Sequence, residues 1–123
     1  MFATPVEIAP APGAGFANIF WGAILYMPYN SIVYTVPGTS ELSVKYTNAA
    51  GLEVGQIETT GFLDQATSQT RFARPHAAAS ANNSITPVPN AALVLHTLIA
   101  SVTAGNSPLK VRAFYDVVPT ILS

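Results

Sequence analysis

The chain contains no cysteine, and only 9% of its residues are charged, against about 25% in an ordinary soluble domain. Without cysteine, a disulfide framework and a thiolate metal site are both excluded, so the fold depends on packing. Five basic and six acidic residues give a net charge of −1, which provides no field to attract nucleic acid or anionic lipid. Because 50% of the residues are hydrophobic, much of the surface has to be neutral, and such surfaces tend to associate. We therefore interpret the chain as one component of an assembly.

Long hydrophobic runs are also scarce. The longest, residues 16–29, is interrupted by Asn18, Gly22 and Pro28, and it is shorter than the about 20 residues that a membrane-spanning helix needs. No Lys or Arg precedes Lys45, so the basic start of a secretory signal is missing. We expect neither a transmembrane segment nor a signal peptide, and no membrane partner.

Proline and glycine, in contrast, are frequent. Ten prolines and eight glycines separate short segments rich in β-branched and aromatic residues, a pattern typical of many short strands. We predict an all-β fold of seven or eight strands, an antiparallel β-sandwich resembling a jelly roll, as a single domain over residues 16–123. Residues 1–15 are predicted to form an extended N-terminal arm, because their prolines oppose regular pairing. Residues 4–9 could still add to a sheet edge.

The clearest local signal is a β-hairpin over residues 41–59. Apolar and polar residues alternate over 41–46, residues 48–51 form a turn, and 52–59 form the return strand. Further strands are predicted at 16–27, 31–36, 91–102 and 109–118, and the last two are expected to pair antiparallel.

Two segments have less regular patterns. Residues 61–73 are compatible with a helix that Asp64 caps, or equally with an irregular loop. Residues 74–90 form a long connection with room for a short strand at 84–88, and connections of this length usually have a function.

No catalytic constellation is recognisable in the sequence. No serine lies in a Gly-x-Ser-x-Gly elbow, and no glycine loop of the phosphate-binding type is present. His76 and His96 lie far apart, and the acidic residues form no close pair. We interpret His96 as a strand residue on a polar face or at an interface, and His76 as a contact residue. The protein is therefore predicted to be no enzyme and to use no metal and no cofactor.

Basic and aromatic residues supply the binding signals. Arg71 and Arg74 would share one face if their segment is helical, and they are either part of a solvated loop or anchors for carboxylates on a partner protein. Two arginines are too few for nucleic-acid binding. Five aromatic residues cluster in residues 16–29, and most of them are expected in the core. If that strand is apolar on both faces, however, its second face needs another layer, which a second subunit can provide.

Several short motifs follow one another from residue 5 to about residue 119. They are Pro5-Val6-Glu7-Ile8, Pro12-Gly13-Ala14-Gly15, Leu42-Ser43-Val44-Lys45-Tyr46, Thr60-Gly61-Phe62-Leu63, and the segments 90–95, 105–109 and 110–115. In this order they resemble the capsid decoration, or cement, proteins of tailed bacteriophages. That resemblance implies a β-sandwich, commonly trimeric, on the outside of the icosahedral head at local threefold positions. It also implies binding to the major capsid protein, which braces the shell against the pressure of the packaged DNA.

The resemblance sets the remaining expectations. A homotrimer would form in the host cytoplasm and bind the exterior of the virion capsid. Residues predicted to contact the capsid are Phe2, Pro5, Arg71, Arg74 and His76. Residues predicted to pack between subunits are Trp21, Tyr26, Tyr29 and His96. Two alternatives stay open: a head–tail joining or tail protein, and a small carbohydrate- or protein-binding module in which Trp21 or Tyr29 stacks on a sugar.

Overall fold

A computed structural model describes residues 4–38, 41–76, 85–97 and 102–121. Within these residues seven strands form two antiparallel sheets and no helix is present. The predicted all-β, antiparallel sandwich class is therefore confirmed, while the jelly-roll connectivity stays a prediction. The strands are β1 (Val6–Ala9), β2 (Phe16–Met27), β3 (Glu41–Tyr46), β4 (Glu53–Glu58), β5 (Gln69–Ala73), β6 (Leu93–Thr97) and β7 (Lys110–Pro119).

The four-stranded sheet has the order β1-β6-β3-β4 and contains the predicted hairpin. Strands β3 and β4 pair antiparallel, and the turn between them is closed by Asn48. Its carbonyl oxygen accepts a hydrogen bond from the Gly51 N–H at 3.0 Å, and its side-chain oxygen accepts one from the Ala50 N–H at 2.9 Å. At the other edge β1 pairs with β6, so residues 6–9 add to the sheet.

The three-stranded sheet has the order β5-β2-β7, with the long β2 in the centre. The expectation that the last two strands pair with each other is wrong, because β7 pairs with β2 over ten positions. Strand β6 has β1 on one side and β3 on the other. Both edges of β6 are thus occupied within its own sheet, and β7 pairs instead along the apolar strand of the other sheet.

Several predicted elements differ from the observed ones. The helix alternative for 61–73 is wrong: residues 61–64 form a turn, and β5 follows along the edge of β2. Gly61 has a positive φ of 80°, and its N–H donates to Asp64 Oδ1 at 2.8 Å, so the aspartate closes a turn and caps no helix. In the segment 31–36, only Thr35 forms a bridge, to Thr103.

The strands predicted near residues 84–102 are also shorter than expected. Residues 85–88 form no strand, and β6 covers residues 93–97. The remaining parts of those predictions, residue 84 and residues 98–101, lie outside the described residues.

The hydrophobic core lies between the two sheets. Leu25 and Met27 from β2 face Leu42 and Val44 from β3, and all four are almost fully buried. Gly55 on β4 lets the sheets approach closely, because a Cβ atom there would lie 2.9 Å from the Phe20 ring. The glycine therefore serves packing in mid-strand.

Two asparagine side chains fix the segment after β1 to the sandwich. Asn18 is fully buried, and its Nδ2 donates to the carbonyl oxygens of Pro10 at 2.9 Å and Ala91 at 3.1 Å. Asn90 Oδ1 accepts a hydrogen bond from the Gly13 N–H at 3.0 Å. Residues 10–13 therefore lie against the domain.

Candidate functional site

The outer face of the three-stranded sheet is apolar and exposed. Side chains of β2 alternate between the core and the outside, as expected for a strand at the centre of a sandwich layer. Five large apolar side chains lie on the outer side and form what we term the aromatic face. Their exposed fractions are 58% for Trp21, 37% for Ile24, 40% for Tyr26, 65% for Phe72 and 41% for Phe114.

The strand register places these side chains next to one another. Ile24 lies opposite Phe72 on β5, and Gly22 lies opposite Phe114 on β7, and cross-strand partners share a face. The register between β2 and β7 shifts between Phe20 and Gly22, which lets Phe20 and Ala23 both face the core although they lie three residues apart. A Cβ atom at Gly22 would lie 3.5 Å from the Phe72 ring, so that ring covers the glycine backbone.

Charged side chains of β7 border the aromatic face and form what we term its polar rim. The Trp21 indole Nε1 donates to Asp116 Oδ2 at 2.7 Å, and this bond fixes the orientation of the exposed ring. Lys110 lies opposite Tyr26, and Arg112 lies opposite Ile24. The rim thus carries charges of both signs beside a neutral centre.

A groove opens beside this face where β4 and β5 diverge. It has a volume of about 780 Å³, and we term it the β4–β5 groove. It forms because residues 74–76 cross from one sheet to the other: Pro75 bridges to Gly55, and the His76 N–H donates to the Val54 carbonyl oxygen at 2.8 Å. Its lining residues are Gln56, Ile57, Glu58, Thr60, Arg71, Phe72, Ala73, Arg74, Pro75 and His76.

The two arginines of the groove have different roles. The Arg71 guanidinium donates to Gln69 Oε1 at 3.1 Å and to the carbonyl oxygens of Thr70 and Gly61 at 2.8 and 2.5 Å. It also lies 5.3 Å from the centre of the Phe62 ring, so it stabilises the turn before β5. The Arg74 side chain is exposed and makes no hydrogen bond or ion pair with any part of the chain that the structure describes.

The expectation that Arg71 and Arg74 share a helical face is wrong, because the segment is extended. Successive side chains along a strand point to opposite sides, which puts Arg71 on the inner side with Ala73. Both arginines still line the groove because β5 is an edge strand.

A buried polar cluster lies on the outer face of the four-stranded sheet. Ser43, Glu53 and His96 are 0%, 5% and 3% exposed. Ser43 lies opposite His96 in the ladder, and its Oγ donates to Glu53 Oε2 at 2.5 Å. His96 Nδ1 lies 2.8 Å from the Thr97 carbonyl oxygen, while His96 Nε2 and Glu53 Oε1 have no hydrogen-bond partner among the described residues.

These residue types occur in nucleophilic hydrolases, but their arrangement here differs from a catalytic triad. A triad serine gives its proton to histidine, whereas the Ser43 hydroxyl donates to a carboxylate. All three side chains are also buried too deeply for a substrate to reach them. We assign the cluster a structural role.

The structure brings together some of the predicted site residues and separates others. Arg71, Arg74 and His76 line one groove, and Trp21 and Tyr26 share the aromatic face. Elsewhere, Tyr29 is half-buried, with its hydroxyl donating to the Ser31 carbonyl oxygen at 2.9 Å. His96 is buried within the fold. Pro5 is half-buried before β1, and Phe2 lies outside the described residues.

Six residues of the aromatic face and its rim were not predicted as site residues from the sequence: Ile24, Phe72, Lys110, Arg112, Phe114 and Asp116. One signal was available. Phe114 interrupts the polar alternation of Lys110, Arg112 and Asp116, so an apolar side chain on the outer side of β7 could be inferred.

The described residues contain no group of three His, Asp or Glu side chains able to hold a metal ion. Within residues 4–38, 41–76, 85–97 and 102–121, no helix has the length and apolar character to cross a membrane. No protein-family model, curated protein or solved structure matches the chain. The functional argument therefore depends on the two surfaces described above.

Proposed function

We propose that the protein is a virion structural subunit, a capsid decoration protein of a tailed bacteriophage, and that it acts by binding. The observation that carries the proposal is the aromatic face, whose five apolar side chains are 37–65% exposed on one sheet. The viral assignment is supported by the order of the sequence motifs. In the described part of the chain, the cluster of Ser43, Glu53 and His96 is buried, so it offers no support for a catalytic function.

The size of the aromatic face is compatible with a subunit interface. A large aromatic side chain contributes about 150–250 Å² of buried area, so the five exposed fractions amount to on the order of 500 Å². This area is near the upper limit of the about 300–600 Å² patches on monomers. Together with the polar rim it approaches the about 800 Å² per partner of a standard interface.

The occupant we propose for the aromatic face is a second copy of this chain. The rim carries Lys110 and Arg112 as well as Asp116, so one copy offers charges that complement those of another. The low charge of the whole chain also favours self-association over a strongly charged partner. A closed homotrimer in which each copy contacts the next would bury three such faces.

In this proposal, the residues that contact the capsid lie on a different surface from the aromatic face. Arg71, Arg74 and His76 line the β4–β5 groove at the edge of the sheet, so they stay accessible when the aromatic face is covered. Phe2 and Pro5 remain proposed capsid contacts. Trp21 and Tyr26 remain proposed interface residues, whereas Tyr29 is half-buried and His96 is buried in its own subunit, so neither belongs to the aromatic face.

Trp21 allows a direct test, because it is the single tryptophan of the chain. In an assembled oligomer, its fluorescence emission should be blue-shifted and protected from iodide quenching, and dilution should reverse both effects. Red-shifted, quenchable emission at every concentration, together with a mass of 12.9 kDa, would contradict the proposal.

The position on the virion needs a separate measurement. A decoration protein is present in many copies per head, whereas a joining or tail protein forms a ring of few copies. Quantification of the chain against the major capsid protein in purified particles distinguishes the two. A ratio of a few copies per particle would overturn decoration in favour of the joining or tail alternative.

A carbohydrate-binding module is the second candidate, and one observation favours it. Trp21 is 58% exposed and its ring orientation is fixed by Asp116, whereas the sequence favoured a buried tryptophan. An exposed, oriented indole on a flat sheet face can stack on a sugar ring. Binding on a glycan array that is lost in Trp21→Ala would support this candidate, and the absence of any glycan ligand would reject it.

A further inference from the structure

We infer that the β4–β5 groove binds an extended acidic segment of a partner protein, with Arg74 and His76 as the contacts for its carboxylates. The inference rests on the proposed binding function, since it specifies the chemistry that the capsid-contact residues would recognise.

The charge of the groove supports an acidic ligand. Two of the five basic residues of the chain, Arg71 and Arg74, line it together with His76, and Glu58 is its one acidic lining residue. Arg71 is committed to the turn before β5 through its three hydrogen bonds. Arg74, in contrast, makes no contact of this kind with the described chain, so its guanidinium is available for a bidentate bond to a carboxylate.

The shape of the groove favours an extended chain over a single small anion. Its volume of about 780 Å³ is open along the edges of two strands. The edge of β4 already pairs with an extended segment, because Pro75 bridges to Gly55. A strand-like ligand presents alternate side chains to opposite sides, so its carboxylates can meet Arg74 while its other side chains contact Thr60 and Pro75, which are exposed in the groove lining.

Nucleic acid fits the groove less well. Binding to a phosphate backbone depends on many cationic contacts, and this groove offers one arginine without an internal partner in the described chain. The net charge of −1 also opposes a long polyanion. Carboxylates spaced along a short peptide need fewer cations.

The experiment uses a fluorescent peptide of alternating Glu and Thr, titrated with the full chain at low salt and followed by anisotropy. Arg74→Glu should weaken binding by about tenfold or more, because it replaces attraction by repulsion. Lys45→Glu is the charge-matched control, since it makes the same charge change on β3, outside both the groove and the aromatic face with its rim. This control should change binding by less than about twofold at moderate salt.

A variant with the opposite effect sharpens the test. Glu58→Gln removes the acidic lining residue of the groove and should tighten peptide binding, and a peptide with Gln in place of Glu should not bind. Equal weakening by Arg74→Glu and Lys45→Glu would overturn the inference, because it would show that binding follows the net charge of the chain and not the groove. No binding of the acidic peptide to the wild-type chain would overturn it as well.

Light scattering separates this inference from the proposed self-association. Arg74→Glu should keep the wild-type mass, since Arg74 lies outside the aromatic face. A monomeric wild-type chain that binds the acidic peptide through Arg74 would support peptide binding in the groove and contradict the proposed self-association. A trimer that does not bind the peptide would support the proposed self-association and contradict peptide binding in the groove.

Discussion

The two outer faces of the sandwich have opposite composition and opposite exposure. On the four-stranded sheet, the polar side chains of Ser43, Glu53 and His96 are at most 5% exposed. On the three-stranded sheet, the apolar side chains of Trp21 and Phe72 are 58% and 65% exposed. Polar residues on the outer side of a strand are therefore no guarantee of contact with water, and apolar residues there are no guarantee of burial.

This difference between the faces predicts that substitutions on one change the free energy of unfolding and substitutions on the other change the free energy of association. A buried polar group is costly unless it is hydrogen-bonded, so substitutions in the Ser43 cluster should act on folding. An exposed apolar face loses little when it is made polar in a monomer, so substitutions there should act on association. The first two predictions below each change one of these faces.

The largest effect is expected on the aromatic face. The double variant Trp21→Ser, Phe72→Ser should weaken self-association by on the order of a hundredfold or more, because exposed aromatic residues are the common hot spots of interfaces. Concentration-dependent sedimentation measures the dissociation constant, and urea denaturation measures the free energy of unfolding.

Ile32→Ser serves as the control for this variant. Ile32 is 52% exposed but lies outside the aromatic face, so its substitution should leave association unchanged. Equal weakening by both variants would indicate that general hydrophobicity, and no particular face, drives association.

The second prediction concerns the buried cluster. Ser43→Ala removes the donor to Glu53 Oε2 and leaves this buried carboxyl without a hydrogen-bond donor among the described residues, which should lower the free energy of unfolding by about 2–3 kcal/mol. Thr70→Ala on the exposed side of β5 is the matched control, with an expected loss of about 0.5 kcal/mol or less. If the two losses were the same, the cluster would not be buried in solution.

How much of the fold could be predicted from the sequence depends on how far apart along the chain the interacting residues lie. The hairpin over 41–59 was predictable, because alternating residues and the Asn48 turn are local signals. The pairing of β7 with β2 was not, since it depends on β6 being occupied on both sides by strands distant in sequence. The exposure of Trp21 was hidden for a related reason: β2 is apolar on both faces, so its composition does not identify the core side.

The proposed contact residues could also be predicted only in part. Arg71, Arg74 and His76 are close in the sequence, and all three line one groove, although Arg71 lies on a strand and the expected helix is absent there. The burial of His96 was not predictable, because alternation along β6 places it only on the outer side of the sheet. Phe72 joined the aromatic face through the pairing of β5 with β2, which the sequence did not reveal.

The third prediction uses the tyrosines of the core. Burial raises the pKa of Tyr34 and Tyr46 above the usual value of 10.0. Because the folded state then binds the phenolic proton more tightly than the unfolded state, the stability should be fully present below about pH 10 and decline as the pH rises further.

Tyr46→Phe checks this assignment. It removes a hydrogen bond to the Asn18 carbonyl oxygen and should cost about 1 kcal/mol near neutral pH, while reducing the loss of stability above pH 10. Tyr34→Phe, which removes the other phenol whose pKa burial raises, should reduce the same alkaline decline. Urea denaturation at a series of pH values measures both variants, and an unchanged decline in Tyr46→Phe would contradict the assignment.

The smallest effect is expected at the rim. Asp116→Ala removes the exposed acceptor of the Trp21 indole and should change the free energy of unfolding by about 0.5 kcal/mol or less. It should nevertheless broaden the orientation of the ring and lower the steady-state anisotropy of Trp21 fluorescence. A loss of stability as large as that of Ser43→Ala would mean that the rim, too, belongs to the folded core.

The central claim is that the aromatic face lies between copies of the chain. Light scattering after size-exclusion chromatography, on the wild-type protein and the Trp21→Ser, Phe72→Ser variant, tests it most directly. The account predicts about three times 12.9 kDa for the wild type and a folded monomer for the variant. A wild-type monomer at micromolar concentration, or a variant that keeps the wild-type mass, would contradict it.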